Sequence, residues 1–569
     1  MNNREIAAVF FEIADLLELQ GVAFKPRAYR KAAQQIETLD REIEEIYKEK
    51  KLKSIPSIGE AIAKKVSELI ETGKLHYLEK LREEIPKKVV QLMEIPTLGP
   101  KTIYFLYNEL GIDSVEKLRN ACEAHKLAPL KGFGERTEEN ILKGIRLLER
   151  SRGRHLLREA YGDAVPYLEW MNKCRAVEHA SIAGSSRRMK ETIGDIDLLV
   201  TSKDSEKVMK KFLAYPQVKD VIAHGKTKSS IRLTDDVQID LRVVAQESWG
   251  AALQYFTGSK AHNVKLRQIA IKKGLKLNEY GIFEKGTNKQ IGGKTEDEIY
   301  KTLGLPWIPP ELREDRGEIE AGQKGRLPKL VEAEDIKGDF HLHTRSSDGT
   351  ASIEEIVAAA QKMGYKFITI SDHSQSLRVA HGLSEEKLLE QTKQIEKLNE
   401  RLDNFRVFSS TECDIKSDGK LDYPNQVLNQ LDFVIAAVHT KFKLSEEEMT
   451  QRVIDGISNE KVKILAHPTG RVLGQRDPYK INLERIFEVC LDTNTFLELN
   501  AFPERLDLND VNLLKAKEKG TKITIGTDSH SLTHLRYMQF GVATARRGWL
   551  EKQNVINTYP LKEIEKMLI

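Results

Sequence analysis

Residues 184–200 read GSSRRMKETIGDIDLLV, and this stretch decides the fold of the middle of the chain. The apolar residues of 196–199 alternate with Asp195 and Asp197, which is the pattern of a half-buried β-strand. Two carboxylates two residues apart share one face of a strand, so they require a cation or a solvated surface. The small residues at 184–186 form a turn that suits phosphate oxygens, and two arginines follow it. The stretch predicts metal-assisted transfer from a nucleotide, although a D-x-D pair alone is also common on a solvated strand.

The sequence around this stretch predicts an α+β domain. Helices are expected over 155–180 and 204–214, and two alternating strands over 229–245. The second strand carries Asp240, a third carboxylate of the kind that catalytic metals use, although a lone acid on a strand is usually solvated. Residues 251–267 then predict a helix, a Thr-Gly-Ser break and a second, basic helix.

Length and composition indicate a multidomain protein that binds a polyanion. The chain has 569 residues, more than one hydrophobic core usually supports. Its net charge of +4 is unevenly distributed, since residues 151–310 hold 27 basic and 19 acidic side chains. The four cysteines show no C-x-x-C pairing, and no apolar run approaches the ~20 residues of a membrane span. Because the N-terminus does not resemble a signal peptide, we expect a soluble, cytoplasmic protein.

A turn of the form apolar-Pro-x-apolar-Gly precedes a helix twice in the first 150 residues. Residues 55–59 read IPSIG and are followed by Lys64 and Lys65, and residues 95–99 read IPTLG. A weaker version lies at 130–134. The turn looks like a helix-hairpin-helix, whose backbone amides and following lysines bind DNA phosphates without reading sequence. One such turn is also an ordinary helix start, whereas three in order favour DNA binding.

Short apolar runs in the C-terminal third each end in a metal-ligand residue. Eight of the 14 histidines lie there, and isolated ones such as His381 and His534 are expected to be structural or solvated. Helical patterns separate the runs, which predicts a parallel βα barrel whose strand ends share one rim. Mixed histidine and carboxylate ligands suit Zn²⁺, Mn²⁺ or Fe²⁺. The rim candidates are His341, His343, Asp348, His373, Glu412, His439, His467, Asp528 and His530.

From residue 1 to about 313 the motifs resemble those of the family X DNA polymerases, with helix-hairpin-helix repeats, palm and thumb in that family's order. The resemblance implies that Asp195, Asp197 and Asp240 are catalytic acids that hold Mg²⁺ or Mn²⁺, and that deoxynucleoside triphosphates are substrates. The residues it assigns to nucleotide binding are Gly184, Ser185, Arg188, Tyr255, Phe256, Asn263 and Arg267. The residues it assigns to DNA binding are Lys25, Tyr29, Lys53, Gly59, Lys65, Gly99 and Lys101.

Two positions depart from the polymerase beta-like members of this family. Gln238 lies where those members have an arginine near the third acid, and Ala61 replaces a lysine of the phosphate pocket. Lys65 matches the lysine that forms a Schiff base with a deoxyribose phosphate in the lyase reaction. A lysine after a hairpin can also simply contact phosphate, so the lyase activity is left open.

Residues 335–569 resemble the polymerase and histidinol phosphatase (PHP) domain. The resemblance implies one metal on His341, His343, Glu412 and Asp528, a second on Glu412, His439 and His467, and a third on Asp348, His373 and His530. All nine positions carry acceptable ligands, which predicts a working site. Such clusters hydrolyse phosphoesters, and the resemblance implies a 3′–5′ exonuclease, with cleavage at abasic sites as a further activity to test.

These patterns predict a multidomain chain that fills short gaps during base excision repair, on gapped or primer-template DNA with a downstream 5′-phosphate, as a monomer. Two alternatives are a nucleotidyltransferase fused to a small-molecule phosphoesterase and a DNA-binding scaffold with inactive sites. Intact ligand sets argue against the scaffold, and the helix-hairpin-helix repeats argue against a small-molecule substrate. The expected divisions are a helical DNA-binding domain at 1–90, a fingers-type helical subdomain at 91–150, an α+β palm at 151–245, a thumb at 246–313, a linker at 314–335 and a distorted, TIM-like PHP barrel at 336–569.

Overall fold

The computed structural model describes residues 3–22, 24–37, 39, 41–95, 98–130, 132–151 and 153–569. The chain divides into two compact units, Met1–Arg152 with Gly474–Asp477 and Gly153–Leu473 with Pro478–Ile569. Pro96, Thr97 and Lys131 of the predicted hairpin turns lie outside the described residues, as does the side chain of Lys101. Among the described residues, no helix combines the length and the apolar character that a membrane span requires.

The first unit is helical. Its helices present apolar stripes that pack into one core, which includes Phe10, Val66 and Leu106. Gly59 and Gly99 lie immediately before two of these helices, which is where the sequence places its first two hairpin turns. The helices are α1 (Asn3–Leu19), α2 (Lys25–Glu37), α3 (Ile43–Lys48), α4 (Glu60–Thr72), α5 (His76–Glu84), α6 (Lys87–Val90), α7 (Pro100–Leu110), α8 (Val115–Glu123) and α9 (Glu135–Ser151).

The palm is a five-stranded sheet with strand order β2-β4-β7-β6-β5. Strands β4 and β7 are parallel, while the other neighbouring pairs are antiparallel. Strand β5 follows α12 in a segment for which the sequence predicted no element. The palm elements are β1 (His155–Leu156), α10 (Leu157–Asn172), β2 (His179–Ile182), α11 (Gly184–Arg187), β3 (Thr192–Ile193), β4 (Ile196–Thr201), α12 (Ser205–Leu213), β5 (Val218–His224), β6 (Lys228–Leu233) and β7 (Gln238–Val244).

The thumb contains three helices and a small antiparallel sheet with strand order β10-β9-β8. The predicted helix–break–helix is confirmed, since Gly258 and Ser259 separate the first two helices. Arg313 is fully buried and is paired with Glu296 at 2.6 Å. The elements are α13 (Trp249–Thr257), α14 (Lys260–Lys272), β8 (Leu275–Asn278), β9 (Gly281–Glu284), β10 (Gln290–Gly292) and α15 (Glu296–Thr302).

The segment predicted as a linker, 314–335, contains helix α16 (Glu318–Gln323). Glu318 is buried, and its Oε1 lies 2.6 Å from His262 Nδ1 on α14. The Glu318 carboxylate also accepts backbone N–H groups from Asp315 and Arg316. Low apolar periodicity predicted a linker draped over one domain, and the buried, hydrogen-bonded carboxylate of Glu318 holds this segment against the thumb.

The PHP region is the predicted barrel of parallel strands. Two sheets, β11-β12-β13 and β14-β15-β16-β17-β18, are joined on one side by a bridge between His373 and Glu412 and on the other by a bridge between Leu342 and Ser529. Nearly every strand residue is buried, as expected for parallel strands covered by helices. The elements are β11 (Gly338–Leu342), α17 (Ile353–Lys362), β12 (Phe367–Ile370), α18 (Glu385–Asn399), β13 (Arg406–Ser409), β14 (Glu412–Asp414), α19 (Asn425–Leu428), β15 (Val434–Ala437), α20 (Glu446–Ile457), β16 (Val462–Leu465), α21 (Leu483–Asp492), β17 (Phe496–Asn500), α22 (Asp510–Lys519), β18 (Ile523–Gly526), α23 (Met538–Arg547) and α24 (Leu561–Leu568).

Palm and barrel share an apolar cluster within the second unit. Leu506, Tyr537 and Phe540 of the barrel belong to the same buried cluster as the palm core. Polar contacts also join the palm to the barrel. Arg158 of the palm donates to the hydroxyl of Tyr537 in the barrel at 2.6 Å. Arg547, at the end of α23, donates at 2.7 Å to the backbone carbonyl oxygen of Arg188 in the palm.

Candidate active sites

Three carboxylates converge at one end of the palm sheet. Asp197 on β4 is the register partner of Asp240 on the parallel strand β7, and Asp195 lies just before β4. Burial, followed by repulsion from Asp195 and Asp240, raises the pKa of Asp197 to about 7. Burial and the charge of Asp240 also raise the pKa of Asp195. Carboxylates that repel one another in this way form an acceptor set that a divalent cation would stabilise.

The turn before β4 approaches this acidic group closely. Gly184 begins α11 with a φ of +61°, and a Cβ at this position would lie 2.2 Å from Asp197 Oδ2. The N–H of Ala183 donates to the carbonyl oxygen of Asp197 at 2.8 Å. Ser185 is half-buried on α11. The structure therefore places Gly184 against Asp197, while the roles of Gly184 and Ser185 toward a nucleotide stay predictions.

The two arginines of this turn already have carboxylate partners. Arg187 forms a two-pronged pair with Glu296, with both N–O distances at 2.8 Å. Arg188 donates through Nε to Glu314 Oε1 at 2.9 Å and through Nη1 to the carbonyl oxygen of Thr257 at 2.6 Å. A triphosphate that binds Arg188 would therefore compete with Glu314 for the guanidinium. The spacing of residues along the chain did not indicate that Glu314 would be the partner of Arg188.

Gln238 supports the third acid. Its side-chain amide donates to Asp240 Oδ1 at 2.9 Å, and Lys228 Nζ lies 3.8 Å from Asp240 Oδ2. Gln238, at the position where the resemblance expects an arginine, therefore gives this carboxylate a neutral hydrogen bond.

The predicted sugar and base contacts lie on the two helices around Gly258. The rings of Tyr255 and Phe256 are half-buried and nearly perpendicular, with centroids 5.2 Å apart. Asn263 is buried, accepts from Gln254 at 2.7 Å and donates to the carbonyl oxygen of Tyr255 at 2.7 Å. Arg267 is half-buried one turn later. Asn263 thus makes protein contacts in this structure, and its role toward a base pair stays a prediction.

The predicted DNA-contact residues of the helical unit fall into two groups. Lys25, Lys53, Gly59 and Gly99 are exposed. Tyr29 is buried, and its ring stacks between Phe10 and Tyr77 with centroid distances of 5.9 and 6.3 Å. Lys65 Nζ lies 4.7 Å from the Tyr77 ring centroid. Their roles toward DNA remain predictions.

The predicted ligands of the PHP region meet on the barrel rim. Glu412 lies at the centre, and its Oε1 is 2.7 Å from His467 Nε2 and 3.2 Å from His439 Nε2. The other carboxylate oxygen is 3.4 Å from His341 Nε2. Three groups of side chains could each hold an ion, namely His343–Asp348–His373–His530, His341–His343–Asp528 and His373–Glu412–His439.

The buried donor atoms on this rim fit divalent metals. Nε2 of His341, both ring nitrogens of His343 and Oε2 of Glu412 are buried without a hydrogen bond among the described residues. Unsatisfied buried acceptors are costly, and a cation would satisfy them. Burial opposes ionisation of Glu412, but the surrounding imidazoles, led by His439 and His373, hold its pKa well below the ordinary value.

Two carboxylates that orient the ligands were missed from sequence. Glu498 on β17 lies 2.7 Å from His341 Nδ1, and Asp414 on β14 lies 2.6 Å from His439 Nδ1. Such contacts fix the tautomer and orientation of a metal-binding imidazole. The sequence feature that could have identified Glu498 and Asp414 is an acidic residue within an apolar strand. In a barrel such a residue lies either in the core or at the rim.

Sequence models of four domains match the chain. They are a helix-hairpin-helix domain over residues 1–75, a SAM-like helix-hairpin-helix tandem over 89–147, the DNA polymerase beta thumb over 252–314 and the PHP domain over 339–502. The chain is also similar, over part of its length, to probable phosphatases. One from Thermoanaerobacter sp. (strain X514) is 28% identical over 232 residues, which covers 39% of this chain and 89% of the relative.

A curated relative matches from end to end. The DNA polymerase/3′–5′ exonuclease PolX of Bacillus subtilis (strain 168) is 40% identical over 571 residues, which covers 100% of this chain and 99% of the relative. This match spans the palm acids, the thumb and the rim of the barrel together. The chain therefore belongs to the family X DNA polymerases that carry a C-terminal PHP domain, enzymes that join a DNA polymerase to a 3′–5′ exonuclease.

Proposed function

We propose that this polymerase fills short gaps in DNA during base excision repair, and that its two activities are divided between the palm and the barrel. Nucleotide addition would take place at Asp195, Asp197 and Asp240, and 3′–5′ hydrolysis at the histidine-rich rim. The supporting observation is that each part holds its own set of acidic or mixed ligands, on β4 and β7 in the palm and around Glu412 in the barrel.

The palm residues would act by positioning and by charge. Asp197 and Asp240 stand side by side on parallel strands, so the primer end and the triphosphate would meet at one fixed end of the sheet. The N–H groups of the turn at Gly184 and the guanidinium of Arg188 would bind triphosphate oxygens. The half-buried rings of Tyr255 and Phe256 would border the sugar. Positioning of this kind is the main contribution of protein groups to phosphoryl transfer.

The barrel residues would hold a phosphodiester among fixed imidazoles. Glu498 and Asp414 orient His341 and His439 from behind, so the ring nitrogens that face Glu412 keep their geometry before substrate binds. We propose three divalent ions on the rim, with Mn²⁺ as first choice, and Mg²⁺ or Mn²⁺ in the palm. Bound ions would supply a hydroxide nucleophile and stabilise the charge of the departing oxygen.

The helical unit would bind the downstream end of a gap. Lys25 and Lys53 are exposed cations of the kind that a terminal 5′-phosphate attracts. Lys65 lies against Tyr77, where it would contact the same phosphate; whether it also forms a Schiff base is a separate question for a borohydride-trapping assay. We propose that the protein acts on gapped or primer-template DNA as a monomer.

One comparison tests the division of labour. Wild type, Asp195→Ala and His341→Ala are incubated with the same 3′-labelled gapped duplex, with and without deoxynucleoside triphosphates. The expected result is that Asp195→Ala loses extension and keeps degradation, while His341→Ala shows the reverse. Degradation that disappears with Asp195→Ala and persists with His341→Ala would overturn the proposal. A small-molecule phosphatase would instead hydrolyse a phosphomonoester and leave the labelled DNA intact.

A further inference from the structure

The turn that follows β17 brings an aromatic ring to the edge of the metal-binding rim. The ring of Phe502 lies 6.4 Å from the ring of His530, 5.3 Å from His534 and 5.3 Å from Tyr537, measured between centroids. All three contacts are close to perpendicular, at 78°, 86° and 88°. None of these rings is therefore stacked parallel on Phe502, which is half-buried.

The same turn carries a guanidinium to the ligand Asp528. Nε of Arg505 lies 3.5 Å from Asp528 Oδ2, and its side chain is 19% exposed. Its Nη1 is buried and, among the described residues, makes no hydrogen bond. Asp528 Oδ2 already accepts from the amide of Asn500 at 3.0 Å. Arg505 therefore keeps an unused donor in a partly exposed side chain that contacts Asp528 on the rim.

The contact with Asp528 does not use all the hydrogen-bond donors of this arginine. An arginine placed only to balance Asp528 would form a short, two-pronged pair, as Arg187 forms with Glu296. Toward Asp528, Arg505 instead makes one long contact, and its Nη1 makes no hydrogen bond within the described part of the chain. A phosphate oxygen is the acceptor that would complete its hydrogen bonding.

We propose that Phe502 and Arg505 form the binding subsite for the nucleotide that the barrel removes, with Arg505 on the scissile phosphate and Phe502 stacked on the nucleobase. The inference rests on the proposed hydrolytic function of the rim. The subsite accepts any base, because each base offers a π-face and neither side chain reads a base edge. It requires a nucleobase that has left its duplex stack.

Two small phosphodiesters separate the base from the phosphate. The p-nitrophenyl ester of thymidine 5′-monophosphate carries a base, and methyl p-nitrophenyl phosphate has the same leaving group without one. The full-length proteins to compare are wild type, Phe502→Ala, Phe502→Tyr and Arg505→Gln. The matched control is Arg536→Gln, since Arg536 is an exposed arginine in the same 3-10 helix as His534. Bound metal is measured for every protein.

For Phe502 the readout is the ratio of kcat/KM for the thymidine ester to that for the methyl ester. Phe502→Ala should lower this ratio about 5-fold to 150-fold, the range that loss of base–aromatic stacking gives, and Phe502→Tyr should restore it. An unchanged ratio for Phe502→Ala would overturn the base subsite.

For Arg505 the readout is KM at constant metal content. Arg505→Gln should raise KM about tenfold or more for both esters, as loss of a charged hydrogen bond does, while Arg536→Gln matches wild type. Loss of metal together with activity would make Arg505 a structural counter-charge and overturn its assignment. Wild type that hydrolyses neither ester and leaves DNA intact would instead refute the proposed hydrolytic function, which is a distinguishable failure.

Discussion

Gly184 and Asp197 are packed so closely that no side chain fits between them. A Cβ on Gly184 would lie 2.2 Å from Asp197 Oδ2, and the φ of +61° is one that glycine adopts without strain. The turn that is expected to bind phosphate and the acid that is expected to bind metal are therefore fixed relative to each other by direct contact.

Gly184→Ala should reduce nucleotide incorporation by at least about 100-fold, since the methyl group must displace Asp197 or the turn and a shift of about 1 Å can cost that much. Gly274→Ala is the control, because Gly274 also has a positive φ of +70° but nothing within 4 Å of its Cβ position. Single-nucleotide extension measures both. Equal loss in the two variants would show that backbone strain, rather than contact with Asp197, limits the enzyme.

Asp195→Ala and Asp240→Ala should each abolish incorporation and leave DNA binding within a few fold of wild type. Both acids are proposed to hold metal rather than DNA, and their charges raise the pKa of Asp197. Extension assays and fluorescence anisotropy on the same gapped duplex provide the measurement. Comparable incorporation by either folded variant would refute the assignment.

Glu412→Ala should damage 3′–5′ hydrolysis at least as much as His341→Ala or His343→Ala. Glu412 contacts imidazoles on both sides of the rim, including His467 at 2.7 Å, whereas each histidine change removes a single imidazole. Polymerisation should survive in all three variants, while a chelator should stop both activities and added Mn²⁺ should restore hydrolysis. Weaker loss in Glu412→Ala than in His341→Ala would contradict a central role for Glu412.

Gap filling should be faster on a short gap with a downstream 5′-phosphate than on one with a 5′-hydroxyl, and the difference should fade with added salt because phosphate contacts release counterions. A Lys25→Ala, Lys53→Ala double variant should lose the preference. Lys126→Ala is the control, since Lys126 is exposed in the same helical unit and outside the proposed pocket. Equal rates on both gaps at low salt would exclude an end-binding pocket.

Glu296→Gln should lower the melting temperature at pH 7, because it leaves the fully buried Arg313 without its charged partner, a loss typically worth about 3–5 kcal/mol. Burial opposes ionisation of Glu296, but Arg313 and Arg187 lower its pKa from 4.5 to about 2. The stabilisation is therefore present above pH 4.5 and is lost as the pH falls toward 2. Calorimetry should show the two proteins converging over that interval, with Asp297→Asn as an exposed control. A constant difference would exclude the linkage.

Local patterns were sufficient to predict the parts of each site that lie on one strand or at its end. Alternation around Asp195 and Asp197 predicted β4, and the apolar runs before the rim residues predicted the barrel strands. The sequence singled out Asp240 as a third acid on a strand, but the register pairing of Asp197 with Asp240 is seen only in the structure.

Contacts between distant segments could not be predicted. Arg188 pairs with Glu314, which lies 126 positions away in the sequence. His341 contacts Glu498, which lies 157 positions away. No periodicity in the sequence indicates either pair. The DNA contact expected at Tyr29 shows the same limit, because its ring is buried between Phe10 and Tyr77. A tyrosine near lysines in sequence gives no sign of which neighbours will cover it.

The apolar cluster shared by palm and barrel constrains the evolution of this protein's sequence. Tyr537 and Phe540 pack into the palm core, and Tyr161 of the palm meets Phe540 edge-on at 6.5 Å. If the palm or the barrel were lost, the part that remained would expose its side of this apolar cluster to water and would be prone to aggregation. Selection on the activity of one domain therefore also constrains the surface of the other domain. We expect paired substitutions across the interface between palm and barrel, rather than free exchange of the two domains.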